Sequence, residues 1–119
     1  MSERVAPRTF YTTCTIASGA SLSGEVDGKG MRLAKIFMPS GWTAASLTFA
    51  EAEATGGTFD PLYDGAGIEV TETVEASRTV APLNVAALTS MCYFKVRSGT
   101  VASAVNQGAA RTIGLLFVG

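Results

Sequence analysis

Along the chain, apolar and polar positions alternate in short runs, and apolar positions recur at helical spacing almost nowhere. Residues 10–16, rich in Thr and aromatic side chains, predict a first strand, and the small residues of 18–21 end it. A second strand-like run covers 22–26. Asp27-Gly28-Lys29-Gly30 then reads as a turn, because Asp bonds to the backbone just ahead of it and glycine takes positive φ without strain. Residues 32–38 predict the next strand, closed by Pro39, which has no N–H for a central ladder.

The clearest alternation lies at 46–53. Leu47 and Phe49 point one way and Thr48 and Ala50 the other, as in a half-buried sheet. Thr55-Gly56-Gly57-Thr58 predicts a hairpin turn, followed by a return strand over 59–63 and a second turn at Asp64-Gly65-Ala66-Gly67. Residues 68–74 and 78–82 predict two further strands joined by a short acidic loop. Only 84–91 suits a helical turn, with Val85 and Leu88 at matching spacing. At 92–98, Cys92, Phe94 and Val96 share one face while Tyr93, Lys95 and Arg97 share the other. After a loop over 99–110, Ile113, Leu115 and Phe117 alternate with Thr112, Gly114 and Leu116.

The sum is about eight or nine short antiparallel strands without crossover helices, which predicts an all-β fold of the jelly-roll-like β-sandwich type. Neither a repeat nor a linker divides it. Residues 10–119 read as one domain, and residues 1–9, with Pro7 and two arginines, as a flexible arm.

Composition narrows the function more than the fold. Hydrophobic residues make up 47% of the 119 positions and charged ones 16%, enough for a core without metals or cross-links. Net charge is −1, so no excess of Lys and Arg argues for a nucleic-acid partner. No run approaches the ~18 apolar residues of a membrane span, and the first eight residues lack a secretory core. The expectation is a chain made in the cytoplasm with no membrane partner.

Charge is uneven. Between Ile36 and Ser77 there is no Lys or Arg, yet Glu51, Glu53, Asp60, Asp64, Glu69, Glu72 and Glu75 fall there. Two readings stand: a solvated acidic hairpin, or a surface that docks on a basic partner or holds a hard cation. Arg4, Arg8, Arg97 and Arg111 flank this acidic middle, either gathered at one edge or scattered for solubility.

The sequence contains no His, which removes the Ser-His-Asp and Cys-His nucleophilic schemes. The glycine-rich stretch 24–30 does not follow the order of a Walker loop and reads as a turn. Asp60, Asp64 and Glu69 are the only carboxylates that suggest paired acid–base work, and they cluster at turns. Asp60 and Asp64 with the carbonyls of 65–67 also suggest calcium, at a spacing unlike an EF-hand. The expectation is a non-enzymatic protein with no catalytic residues, cofactor or metal. Cys14 and Cys92 are either a distant pair or two reduced thiols. Trp42, in a loop, either stacks on a sugar or anchors an interface, or else caps the core.

Several stretches together resemble a known family. Residues 16–27 lead into Ile36-Phe37-Met38-Pro39 and Trp42-Thr43-Ala44-Ala45-Ser46-Leu47-Thr48-Phe49. Gly57-Thr58-Phe59, Leu62-Tyr63-Asp64, Gly67-Ile68-Glu69-Val70 and Phe94-Lys95-Val96-Arg97-Ser98-Gly99-Thr100 follow, then residues 106–113. In this pattern the chain resembles small proteins encoded among the virion genes of tailed bacteriophages. It departs at residues 51–57, where a Ser-Ala-Asp-Gly-type turn is expected. The resemblance implies a capsid decoration (cement) protein on the virion surface, partnered by the major capsid protein and forming a trimer or dimer. It carries over no catalytic residue. The second reading is a carbohydrate-binding module that meets a host surface glycan. On either reading the interface candidates are Arg4, Arg8, Trp42, Glu51, Glu53, Arg97 and Arg111.

Overall fold

The Thr- and aromatic-rich run forms β1 (Thr9–Ile16), whose Cys14 and Ile16 turn inward while Thr9, Tyr11, Thr13 and Thr15 face solvent. Residues 8–119 are described by the computed structural model; Arg4 and most of the expected arm lie outside them. Arg8 and Thr9 do not belong to an arm. The Arg8 carbonyl accepts the Gly119 N–H, and Thr9 pairs with Val118.

Six further strands follow: β2 (Val26–Phe37), β3 (Leu47–Ala52), β4 (Asp60–Pro61), β5 (Thr79–Val80), β6 (Met91–Ser98) and β7 (Arg111–Val118). All pairings are antiparallel and run in the order β1-β7-β2-β6-β3-β4, with β5 against β2. The fold is therefore all-β, with no helix among the described residues. The seven strands form one continuous hydrogen-bonded sheet, fewer than the eight or nine strands expected.

β2 is the reason. The turn expected at residues 27–30 is a bulge inside one long strand: Lys29 and Gly30 take φ of 55° and 73°, and the Asp27 carboxylate accepts the Lys29 N–H. On either side of the bulge, Val26, Asp27 and Met31 pair with β6; the rest of the strand, Arg32 to Phe37, pairs with β7. A second irregularity at Ala34 shifts the alternation, so Leu33 and Ile36 are both buried although three positions apart. The strand thus serves both halves of the sheet, and the halves pack on each other. Phe117 of β7 meets Phe94 of β6 edge-on at 5.9 Å, Phe94 meets Phe49 of β3 at 6.3 Å, and Phe10 of β1 lies 6.2 Å from Phe117. Each such side chain contributes roughly 1.5–3 kcal/mol by burial.

β3 departs from the half-buried expectation. Leu47, Thr48, Phe49 and Ala50 are all buried, so both faces are covered. Thr48 turns its hydroxyl to the Gly99 carbonyl at 2.7 Å, which closes the second face without an unpaired polar group. The runs at 22–26, 59–63 and 68–74 yield less strand than their composition predicts. Beyond Val26 and the two residues of β4, they contribute only isolated bridges, Leu22 to Arg97, Tyr63 to Glu69 and Glu72 to Leu47. Of the helical turn expected at 84–91, residues 84–89 form one, with the Leu88 N–H on the Asn84 carbonyl and Leu88 buried, while Met91 already begins β6.

Candidate interaction surfaces

Trp42 follows β2 in a loop held from two sides. Gln107, 1% exposed, accepts the Thr43 N–H (2.8 Å) and the Arg111 Nε–H (3.3 Å) and donates to the Thr43 carbonyl and the Ser98 hydroxyl. Pinned this way, Trp42 is 7% exposed and its indole N–H donates to the Ala45 carbonyl. The ring caps the core, so its faces are closed to a sugar. Arg111, half-buried, donates its Nε–H to Gln107.

Arg97 of β6 is likewise engaged. It forms an ion pair with Glu69 at 3.8 Å, both largely buried, and its guanidinium lies 3.5 Å from the Thr48 hydroxyl. Glu69 also accepts the Val101 N–H at 3.1 Å. Arg8 is exposed, but it stands beyond the opposite end of β7 from Arg111, roughly 25 Å along the strand. These arginines do not gather at one edge.

The acidic stretch divides by position. Glu53 is exposed. Glu51 is half-buried opposite Asp60 in the β3–β4 register and accepts the Cys92 N–H at 3.3 Å. Burial pushes its carboxyl above the usual range, partly opposed by that hydrogen bond. Glu25, which no sequence pattern singles out, takes the Gly56 N–H and the Thr55 hydroxyl; these two bonds hold its carboxyl below the usual range. Asp64 caps its own turn by accepting the Ala66 and Ile68 N–H groups at 2.9 and 3.0 Å, which accounts for its place among glycines without a cation. Among the described residues no three carboxylates or thiols gather as a cation site.

Glu72 was the residue least visible from sequence. It is 2% exposed, and its carboxylate accepts the Leu83 N–H (2.7 Å), the Asn84 N–H (2.9 Å) and the Asn84 carboxamide (2.6 Å). The Asn84 carboxamide also donates to the Thr71 carbonyl. This buried anchor fixes the backbone of a loop whose tip residue, Leu83, is 86% exposed, with Val85 also exposed nearby. A single Glu in an acidic run gives no signal of burial; the one pointer is Asn84, a residue suited to side-chain–backbone bonding beside Pro82.

Two other apolar features reach solvent. Tyr63 and Ile68 stand on the hairpin set by Asp64. On the outer face of the β1-β7-β2 half, Tyr11 and Phe37 pack edge-on at 6.0 Å above Gly114. A Cβ at Gly114 would lie 2.6 Å from the Tyr11 hydroxyl, so glycine there is what lets the ring lie flat along the sheet. No cavity or cleft opens among the described residues. Comparison with protein-family models, with curated proteins and with solved structures returns no match.

Proposed function

We propose that the chain is a capsid decoration protein of a tailed bacteriophage, seated on the outer face of the head, where it binds the major capsid protein and bridges neighbouring subunits. The observation that carries this reading is the Leu83 loop: an apolar side chain almost fully in solvent, on a backbone anchored by a buried carboxylate. A projection already held in one shape loses little freedom on docking, so its burial goes into affinity. Many copies on one shell make each modest contact effective through multivalency. The resemblance to small virion proteins supplies the identity of the surface. Trp42, the residue that motivates the carbohydrate reading, is buried and lends it no support.

The test is to add the purified protein to expanded heads that lack it. Binding with a higher thermal or salt resistance of the heads is expected. Leu83→Asp, at a position that touches little of its own fold, is expected to weaken binding by at least about tenfold. Finding the protein in infected-cell extract but never in purified virions overturns the reading.

A further inference from the structure

The two edges of the sheet are built differently. β4 is two residues long and contains Pro61, which blunts it against further pairing. β1 is eight residues long, free of bulges in its register with β7, and has no charged residue and no proline between Thr9 and Ile16. Sheet edges of this length normally carry a lysine, a proline or a bulge; β1 carries none.

The direction of its backbone groups follows from the ladder. The Gly119 N–H donates to the Arg8 carbonyl, so Arg8 and Gly119 form a pair that exchanges hydrogen bonds, as do Phe10 with Phe117 and Thr12 with Leu115. Thr9, Tyr11 and Thr13, the alternate residues, therefore aim N–H and C=O away from β7. Thr15 confirms the parity: its carbonyl, on that outer side, accepts the Gly24 N–H. Among the described residues nothing pairs with the outward groups of Thr9, Tyr11 and Thr13.

We infer that this edge pairs with the same edge of a second copy, antiparallel about a twofold axis at Tyr11. Only this register uses every free group: Tyr11 faces Tyr11 of the second copy, and Thr9 faces its Thr13 on both sides of the axis. Each of these pairs exchanges both of its hydrogen bonds. A shift by two residues one way leaves the groups of Thr13 with no partner among residues 9–13, and the other way drives Thr9 against the chain that crosses Thr15 at Gly24. No like charges meet, since the strand is uncharged. The aromatic row continues across the axis, from Phe37 through Tyr11 to the Tyr11 and Phe37 of the second copy, on the face that Gly114 leaves open. The contact is isologous and closes at two copies. It stands whether or not the chain binds a capsid.

Sedimentation equilibrium of the full chain over a wide concentration range is expected to show a monomer–dimer equilibrium. Tyr11→Lys places like charges face to face at the axis, and Thr13→Pro deletes an outward N–H while sparing the bonds to β7; each is expected to weaken the dimer at least about tenfold. Should either variant fail to fold, a cysteine scan gives a separate answer. In a Cys92→Ser background, Tyr11→Cys is expected to form a disulfide-linked dimer under mild oxidation, since residues facing each other in such a pair lie about 5.5 Å apart at Cα. Thr112→Cys, on the same face but away from the axis, is expected to give no disulfide-linked dimer. A parent chain that remains monomeric at millimolar concentration overturns the inference. So does a dimer that Tyr11→Cys fails to cross-link, or one that folded Tyr11→Lys leaves unweakened.

Discussion

Replacing Glu72 by Ala removes the acceptor for the amides of Leu83 and Asn84 and for the Asn84 carboxamide. Leaving those donors partly buried and unpaired costs roughly 2–4 kcal/mol, to be read from urea unfolding. Leu83→Ala, at the exposed tip of the same loop, is expected to change stability by less than about 0.5 kcal/mol. The two cysteines divide in the same way. Cys92 is exposed and Cys14 buried, and both are free thiols. Burial pushes the Cys14 thiol up from 9.0 to about 11, with a hydrogen bond to Ser23 pulling weakly the other way. Native protein is expected to present one thiol to a disulfide reagent at neutral pH, and denatured protein two. Because the folded thiol keeps its proton to a higher pH than the unfolded one, the stability it contributes is whole below about pH 9. That stability is lost as pH rises toward 11, by roughly 2–3 kcal/mol, and Cys14→Ala is expected to remove this alkaline slope.

At the scale of the element, β2 determines the shape of the sheet. Its two glycines around the bulge act by different means, and substitution separates them. A Cβ at Gly28 would stand 2.5 Å from the Met91 carbonyl oxygen and 2.6 Å from the Met91 Cβ, so Gly28→Ala forces β2 and β6 apart. The expected cost is about 1–3 kcal/mol. Gly30 has open space around it but a φ of +73°, so Gly30→Ala costs only the left-handed conformation, about 1–2 kcal/mol. Gly30→Asn, which suits that conformation better, is expected to recover part of the loss. Thermal unfolding of the three variants measures the order. β1, β3, β6 and β7 were legible because their alternation is local. β2 was not: Asp-Gly-Lys-Gly has the chemistry of a chain reversal, and only pairing with β6 on one side and β7 on the other makes it a bulge. Cys92 shows the same limit. Alternation assigns it the face of Phe94 and Val96, but Met91 takes the inward place and Cys92 stays in solvent.

For the whole molecule, the sharing of β2 means that neither half of the sheet has a core of its own. The chain of rings from Phe10 through Phe117 and Phe94 to Phe49 crosses from one half to the other. Unfolding is therefore expected to be a single transition. Fluorescence of Trp42, the only tryptophan, reports the loop after β2, and far-ultraviolet circular dichroism reports the strands; their denaturant midpoints are expected to coincide. Separate midpoints would show that the halves fold independently.

The sequence alone determined the fold class, the positions of β1, β3, β6 and β7, the inward Leu47 and Phe49 of β3 and Ile113, Leu115 and Phe117 of β7, and the turns near residues 55–58 and 84–89. Each depends on neighbours a few positions away, which is the range over which alternation and turn chemistry act. The tertiary structure decided the rest: that Trp42 caps the core, that Glu72 is buried, that Arg97 and Arg111 are engaged internally, and that one edge of the sheet is left open. Burial of a polar group requires partners to meet it, and here the partners come from farther along the chain: Asn84 for Glu72, Glu69 for Arg97, and Gln107 for the loop that carries Trp42. Which strand becomes an edge depends likewise on which others have already paired, a property of the whole sheet that no single run of residues contains.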